Sequence, residues 1–162
     1  MIQQLLIANA VVFVLDAMLG GQLSTLGGVR PLLFWQSGHI WTPFTYMWLH
    51  GGLAHIAMNM FVLWSFGSQL ALLWGPGRFL RYYLFCGVGA GLVIAILPIL
   101  FYAIGLAHPI ELTIPTVGAS GAIYGVILAF SLTWPNRTLM LIFPPVAFRA
   151  IWMIPVMFLM TV

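Results

Sequence analysis

The sequence predicts an all-α, polytopic membrane protein forming one domain over residues 1–162. Three observations carry that prediction. The chain is 63% hydrophobic and only 4% charged, with a mean hydropathy of +1.11, whereas soluble domains carry about 25% charged residues. Such a chain cannot cover a water-facing surface. Its apolar residues come in runs, several of them near the roughly 20 residues that a helix needs to cross the hydrocarbon core. The breaks between runs collect the prolines, glycine pairs and arginines. All five basic residues are Arg (Arg30, Arg78, Arg81, Arg137 and Arg149), and the acids are only Asp16 and Glu111. A net charge of +3 is too sparse for a nucleic-acid footprint. Cys86 is the only cysteine, so no intrachain disulfide forms.

The first span covers residues 2–19, with Asp16 close enough to its end to reach the interface. No basic stretch precedes it, so it reads as a retained span rather than a cleaved leader. Residues 20–49 are too polar and too broken by Gly27, Gly28, Pro31, Gly38 and Pro43 to span. They hold Trp35, Trp41, Phe44, Tyr46 and Trp48, and aromatics at this density favour the headgroup zone. The segment reads as a long loop in the outer interface, with a short amphipathic helix at 31–36. The second span is 52–74, closed by Gly75, Pro76 and Gly77. Arg78 and Arg81 follow in a turn. The third span is 82–103, where Gly87 and Gly91 stand at helix-packing spacing. Residues 105–117 connect, with Pro109 and Pro115. The fourth span is 120–134, stopped by Pro135. Residues 136–148 read as a turn, and 150–162 as the truncated start of a fifth span. Loops rich in Arg stay cytoplasmic. The 2–3 and 4–5 turns are therefore inside with the N-terminus, and the aromatic loop and the 105–117 connection are outside.

Two polar clusters lie inside these apolar runs. One is Ser120, between Gly118 and Gly121. The fourth span is about 22 Å long at a rise of about 1.5 Å per residue, short of a hydrocarbon core of about 30 Å. With Pro135 at the cytoplasmic face, Ser120 lies below the outer face. Irregular backbone at that depth survives only within protein or beside a wet cavity. The other cluster is His50, His55 and Asn59. His55 and Asn59 are four apart and share a helix face. Two donors aimed at one point suit an oxyanion, and the Ser120 amide at a helix start points the same way. Blander readings stand beside this one. Ser120 can be a cap or a packing residue, His50 and His55 interhelical glue, and Gly121 and Gly125 a close-packing pair. Tyr124, on the Ser120 face, can be an interface anchor. A metal site on the two histidines lacks a nearby acid, and no metal or cofactor is expected.

Taken together, these residues resemble the rhomboid family of intramembrane serine proteases, over nearly the whole chain. His50, His55 and Asn59 match the family's second-helix pattern. Gly118, Ser120 and Gly121, then Tyr124 and Gly125, match its nucleophile motif. Trp41 fits the tryptophan of its first-loop motif. The resemblance implies a rhomboid-like bundle with five of six expected transmembrane helices present. It implies Ser120 as nucleophile, His55 and Asn59 as oxyanion donors, and His50 as a brace for the first loop. It implies Tyr124 packed on a base histidine, and helix five with Trp152 and Phe158 as a lateral gate. Partners would be transmembrane protein substrates and the lipid bilayer, in a bacterial inner membrane. Thr42 stands where the family commonly has Arg, and Ala71 where it commonly has Glu. The base is expected on a sixth helix, and no histidine follows Ser120 in this sequence. The chain therefore reads as a fragment lacking that helix, with a non-catalytic rhomboid-like protein that binds transmembrane segments as the alternative. A small transporter or channel is a further alternative, for which Ser65, Ser68, Gln69, Ser131 and Thr133 offer a sparse polar route.

Overall fold

A computed structural model describes residues 1–140 and 146–159, the last three as backbone only. The chain is a helical bundle. Helix α1 spans Ile2–Met18. Three short helices follow, α2 (Gln22–Gly27), α3 (Pro31–Gln36) and α4 (Thr42–Thr45), and then a 3-10 turn at Tyr46–Trp48. Helices α5 (Leu53–Val62) and α6 (Ser68–Trp74) are joined without a break by a π-helical stretch, Leu63–Gly67. Helix α7 is Pro76–Ala103 and α8 is Ser120–Thr133. A hairpin of β1 (Thr138–Met140) and β2 (Ala147–Arg149) leads to α9, Met153–Leu159.

Two of these runs, Leu53–Trp74 and Pro76–Ala103, are long and apolar enough to cross a membrane, while Ile2–Met18 and Ser120–Thr133 are apolar but shorter. Around the bundle large apolar side chains face outward, among them Leu72 at 86% exposure and Phe85 at 78%. An apolar surface of that extent marks contact with membrane or protein rather than with water.

The structure corrects four expectations. The third helix starts at Pro76 rather than at residue 82, so Arg78 and Arg81 lie in its first turns. Proline at the first helical position loses no hydrogen bond, and Gly75 ahead of it supplies the left-handed φ of +81°. The connection after α8 is not wholly a turn, because β1 and β2 pair antiparallel, Thr138 with Arg149 and Met140 with Ala147. The fold is thus all-α apart from one hairpin. The first loop is largely helical, and its α3 falls at the expected residues. Asp16 does not reach outward. It is buried and accepts bonds from the Ser24 amide (3.1 Å) and the Ser24 hydroxyl, which ties the start of the loop to the end of α1.

The first loop folds against α7. Trp35 Nε1 donates to the Ala95 carbonyl at 3.0 Å, and Tyr46 Oη to the Gly87 carbonyl at 2.8 Å. Helices α7 and α8 run antiparallel in close contact. A methyl placed on Gly121 would lie 2.5 Å from Ala90 Cβ, and one on Gly125 would lie 2.5 Å from Cys86 Sγ. The glycine pair at 121 and 125 does pack helices, as its spacing predicts. Gly91 instead receives the first loop, since a methyl there would lie 2.7 Å from the Pro43 carbonyl oxygen. At the opposite end Arg137 donates to Gln69 Oε1 and sits 5.7 Å from the Phe130 ring and 5.9 Å from that of Trp134. We expect Gly125→Ala to lower stability by about 1–3 kcal/mol through overpacking. Gly77→Ala, where a methyl meets open space, should not lower it. Unfolding in mild detergent measures both.

Candidate active site

Ser120 is the first residue of α8, and Ala119 occupies the capping position with no side chain to offer. The Ser120 hydroxyl therefore caps nothing, and among the described residues it makes no hydrogen bond. Thr133, in the same helix, shows the usual alternative by donating back to the Ala129 carbonyl at 2.7 Å. The blander reading of Ser120 as a cap does not describe this geometry. The first intrahelical bond of the α8 start runs from the Ile123 amide to the Ala119 carbonyl, leaving the Ser120, Gly121 and Ala122 amides as the free donors of a helix N-terminus.

The chain arrives at Ser120 through fixed backbone. Val29 and Thr116 exchange two backbone bonds, of 2.9 and 2.8 Å, and the Gly118 amide donates to the Tyr46 carbonyl at 2.9 Å. Gly118 has φ +131°, a region open to glycine and closed in practice to other residues. Space there is restricted as well. A methyl on Gly118 would lie 2.7 Å from His55 Nε2 and 3.6 Å from Ser120 Oγ. The imidazole of His55 and the hydroxyl of Ser120 thus border the same small space, with Gly118 between them.

His55 and Asn59 both come from α5. His55 is half-buried, and Asn59 is buried with its side-chain nitrogen unpartnered among the described residues. A buried amide donor left unbonded costs about 1–3 kcal/mol, so this is a donor poised at some expense. His50 lies just before α5 and packs edge-on against His55, with ring centroids 5.1 Å apart. It is 4% exposed, and neither ring nitrogen makes a hydrogen bond among the described residues. Burial, and next the nearby His55, push its pKa down from 6.5 to about 4. His50 is therefore neutral at physiological pH.

The remaining predicted residues divide. Tyr124 is half-buried, one turn below Ser120. Gly121 is pressed between Ala90 and Tyr46. Trp41 is half exposed. Its indole donates to the Leu26 carbonyl at 3.3 Å and stacks on His39, with centroids 4.8 Å apart, so its partners belong to the first loop. Trp152 is 60% exposed on a 3-10 turn ahead of α9. The side chain of Phe158 lies outside the described residues. Thr42 is buried and donates to the His39 carbonyl at 2.8 Å, a tie within the loop. Among the described residues no group of three His, Cys, Asp or Glu side chains is placed to hold a metal ion.

Sequence reasoning passed over Tyr46, whose carbonyl accepts the Gly118 amide and whose hydroxyl lies beside Gly121. It counted there as one loop aromatic among several. The signal available was its position four residues before His50, combined with glycines at 87, 91 and 121 that leave room for a ring.

With this geometry in view, comparison with known proteins is direct. The rhomboid domain family model matches residues 37–162. The chain belongs to the rhomboid family. Rhomboid protease GluP of Bacillus subtilis is 37% identical over 88 residues, covering 54% of this chain and 15% of that protein. Rhomboid protein 1, mitochondrial, of Saccharomyces cerevisiae is 34% identical over 96 residues, 59% of this chain and 26% of that protein. Presenilin-associated rhomboid-like protein, mitochondrial, of Mus musculus is 36% identical over 97 residues, 60% of this chain and 23% of that protein. The matched region is thus about a quarter or less of each of these relatives.

The depressed His50 value makes a pH prediction. Its folded value of about 4 lies below the ordinary 6.5, so the unfolded chain binds more protons between those limits. The stabilising contribution is complete above pH 6.5 and is lost as pH falls toward 4. Thermal unfolding should show stability falling across that window, and His50→Asn should flatten the fall by about one proton's worth of slope.

Proposed function

We propose that this chain carries the nucleophile and oxyanion site of an intramembrane serine endopeptidase that cleaves transmembrane segments near the outer membrane face. The observation that carries the reading is the Ser120 hydroxyl, without a hydrogen bond among the described residues and bordering the same space beside Gly118 as the His55 ring. In this reading Ser120 Oγ attacks the scissile carbonyl, and its proton passes to the sixth-helix histidine that the family resemblance implies, outside residues 1–162. Charge on the carbonyl oxygen is taken up by His55, the Asn59 side-chain nitrogen and the Ser120 amide. Expulsion of the amine takes the proton back, and water then releases the acyl group. Tyr124 packs on the base. Trp152, with Phe158, borders the path by which a substrate helix arrives. His50, neutral and wedged against His55, braces the loop and takes no proton.

Orientation in this reading follows the arginines. Arg78 and Arg81 open α7 and Arg137 closes α8 beside Gln69 of α6, all at the end of the bundle away from Ser120. That end is cytoplasmic, with the N-terminus, and the site opens to the outer side. Five helices enter the bilayer. With 14 residues and a length of about 21 Å, α8 leaves Ser120 submerged. The location is a bacterial inner membrane, with a mitochondrial membrane as the alternative raised by the names of two relatives.

The test uses the gene product that carries this chain, in liposomes with a single-span substrate. Ser120→Ala should abolish cleavage and labelling by a fluorophosphonate. Asn59→Ala should cost about a hundredfold in kcat, as loss of one oxyanion donor does elsewhere. Cleavage that survives Ser120→Ala sinks the reading. Substrate binding with neither cleavage nor labelling assigns the chain to the non-catalytic alternative.

A further inference from the structure

Tyr46 touches both helices whose contact sets the position of Ser120, and it does so with three different parts of itself. Its carbonyl accepts the Gly118 amide at 2.9 Å. Its ring lies in a notch between α7 and α8, where a methyl on Gly91 would come within 2.7 Å of Tyr46 Cε1. Its hydroxyl donates to the Gly87 carbonyl at 2.8 Å and sits 2.6 Å from the place a methyl on Gly121 would occupy. The side chain is almost wholly buried. We infer that Tyr46 is a positioning residue for the nucleophile, fixing the depth and direction of the Gly118–Ser120 turn against α7; the inference rests on the protease reading of Ser120.

Three features bear this out. Tyr46 meets the motif on both sides of Ser120, its backbone carbonyl at Gly118 and its hydroxyl beside Gly121. Gly91 and Gly121 both border the tyrosine, Gly91 together with Pro43 and Gly121 together with Ala90, so each leaves room for its side chain. The phenol is also a donor at every working pH, since burial holds its pKa up at about 12. Its partner is a carbonyl on the helix packed beside Ser120. Tyr46 touches no reacting atom and acts only through Gly118 and Gly121.

The experiment compares Tyr46→Phe with Leu5→Ala, a core change in α1 away from the site, in the same gene product in liposomes. Losing one buried hydrogen bond should slow fluorophosphonate labelling of Ser120, and lower kcat, by about three- to tenfold. KM should stay within about twofold, because substrate binding is not the step affected. Amide exchange over residues 116–122 should quicken by a similar factor in Tyr46→Phe and stay unchanged in Leu5→Ala. Wild-type labelling and exchange in Tyr46→Phe would overturn the proposal. So would equal slowing of Ser120 by Leu5→Ala, since the effect would then be one of general stability. The arms separate two failures. Cleavage that persists in Ser120→Ala removes the protease reading, while the exchange arm still decides whether Tyr46 holds the turn.

Discussion

The lead-in to α8 is buried backbone, and the rest of the molecule is arranged around satisfying it. Gly118 and Ala119 are closed off from solvent, where an unbonded amide costs about 1–3 kcal/mol. The bonds come from the first loop. Val29 pairs with Thr116, and Tyr46 accepts from Gly118. A loop that supplies bonds at those two points cannot float at a surface. It is therefore folded into short helices, tied to α1 by Asp16 and Ser24 and laid on α7 by Trp35 and Tyr46. The small residues of α7 and α8 follow from the same demand. Only glycine and alanine at these positions leave space for a loop to reach the helix-helix junction.

The two ends of the bundle then differ in kind. One end gathers arginines, with Arg137 lodged over two aromatic rings and bonded to Gln69. Near the other, the Asn59 side-chain nitrogen and both ring nitrogens of His50 are buried without a hydrogen bond among the described residues, as are groups elsewhere in the bundle such as the Tyr83 and Ser131 hydroxyls. Phe79, Tyr83 and Phe130 are fully buried toward the arginine end.

The helices were legible in the sequence because hydropathy and length dominate in an apolar chain. The start of α7 was not, since Arg78 and Arg81 read as a loop. The stronger signal was Pro76 behind Gly75, which opens a helix while the arginines sit in its exposed first turns. The hairpin of β1 and β2 escaped because three-residue strands carry no periodicity. Asp16 was misread for a different reason: a carboxylate near a helix end has two destinations, outward to the interface or back to a neighbouring amide, and only the fold selects between them. In the candidate site, His55 and Asn59 share α5 as their spacing predicts, and Ser120 opens α8. Tyr46 was not legible in the sequence, because its partners at 87, 91, 118 and 121 are brought to it only by tertiary structure.

The junction between α8 and α9 has a mechanical consequence. The Ala150 amide donates to the Arg137 carbonyl at 2.8 Å and the Ile151 amide to the Pro135 carbonyl at 3.1 Å. These two bonds pin the root of α9 to the foot of α8. A rod clamped at its root does not translate; it pivots, and its displacement grows with distance from the clamp. Each further residue of a rigid helix adds about 1.5 Å of lever arm. Small angular play at Ala150 thus gives larger lateral travel farther along the helix.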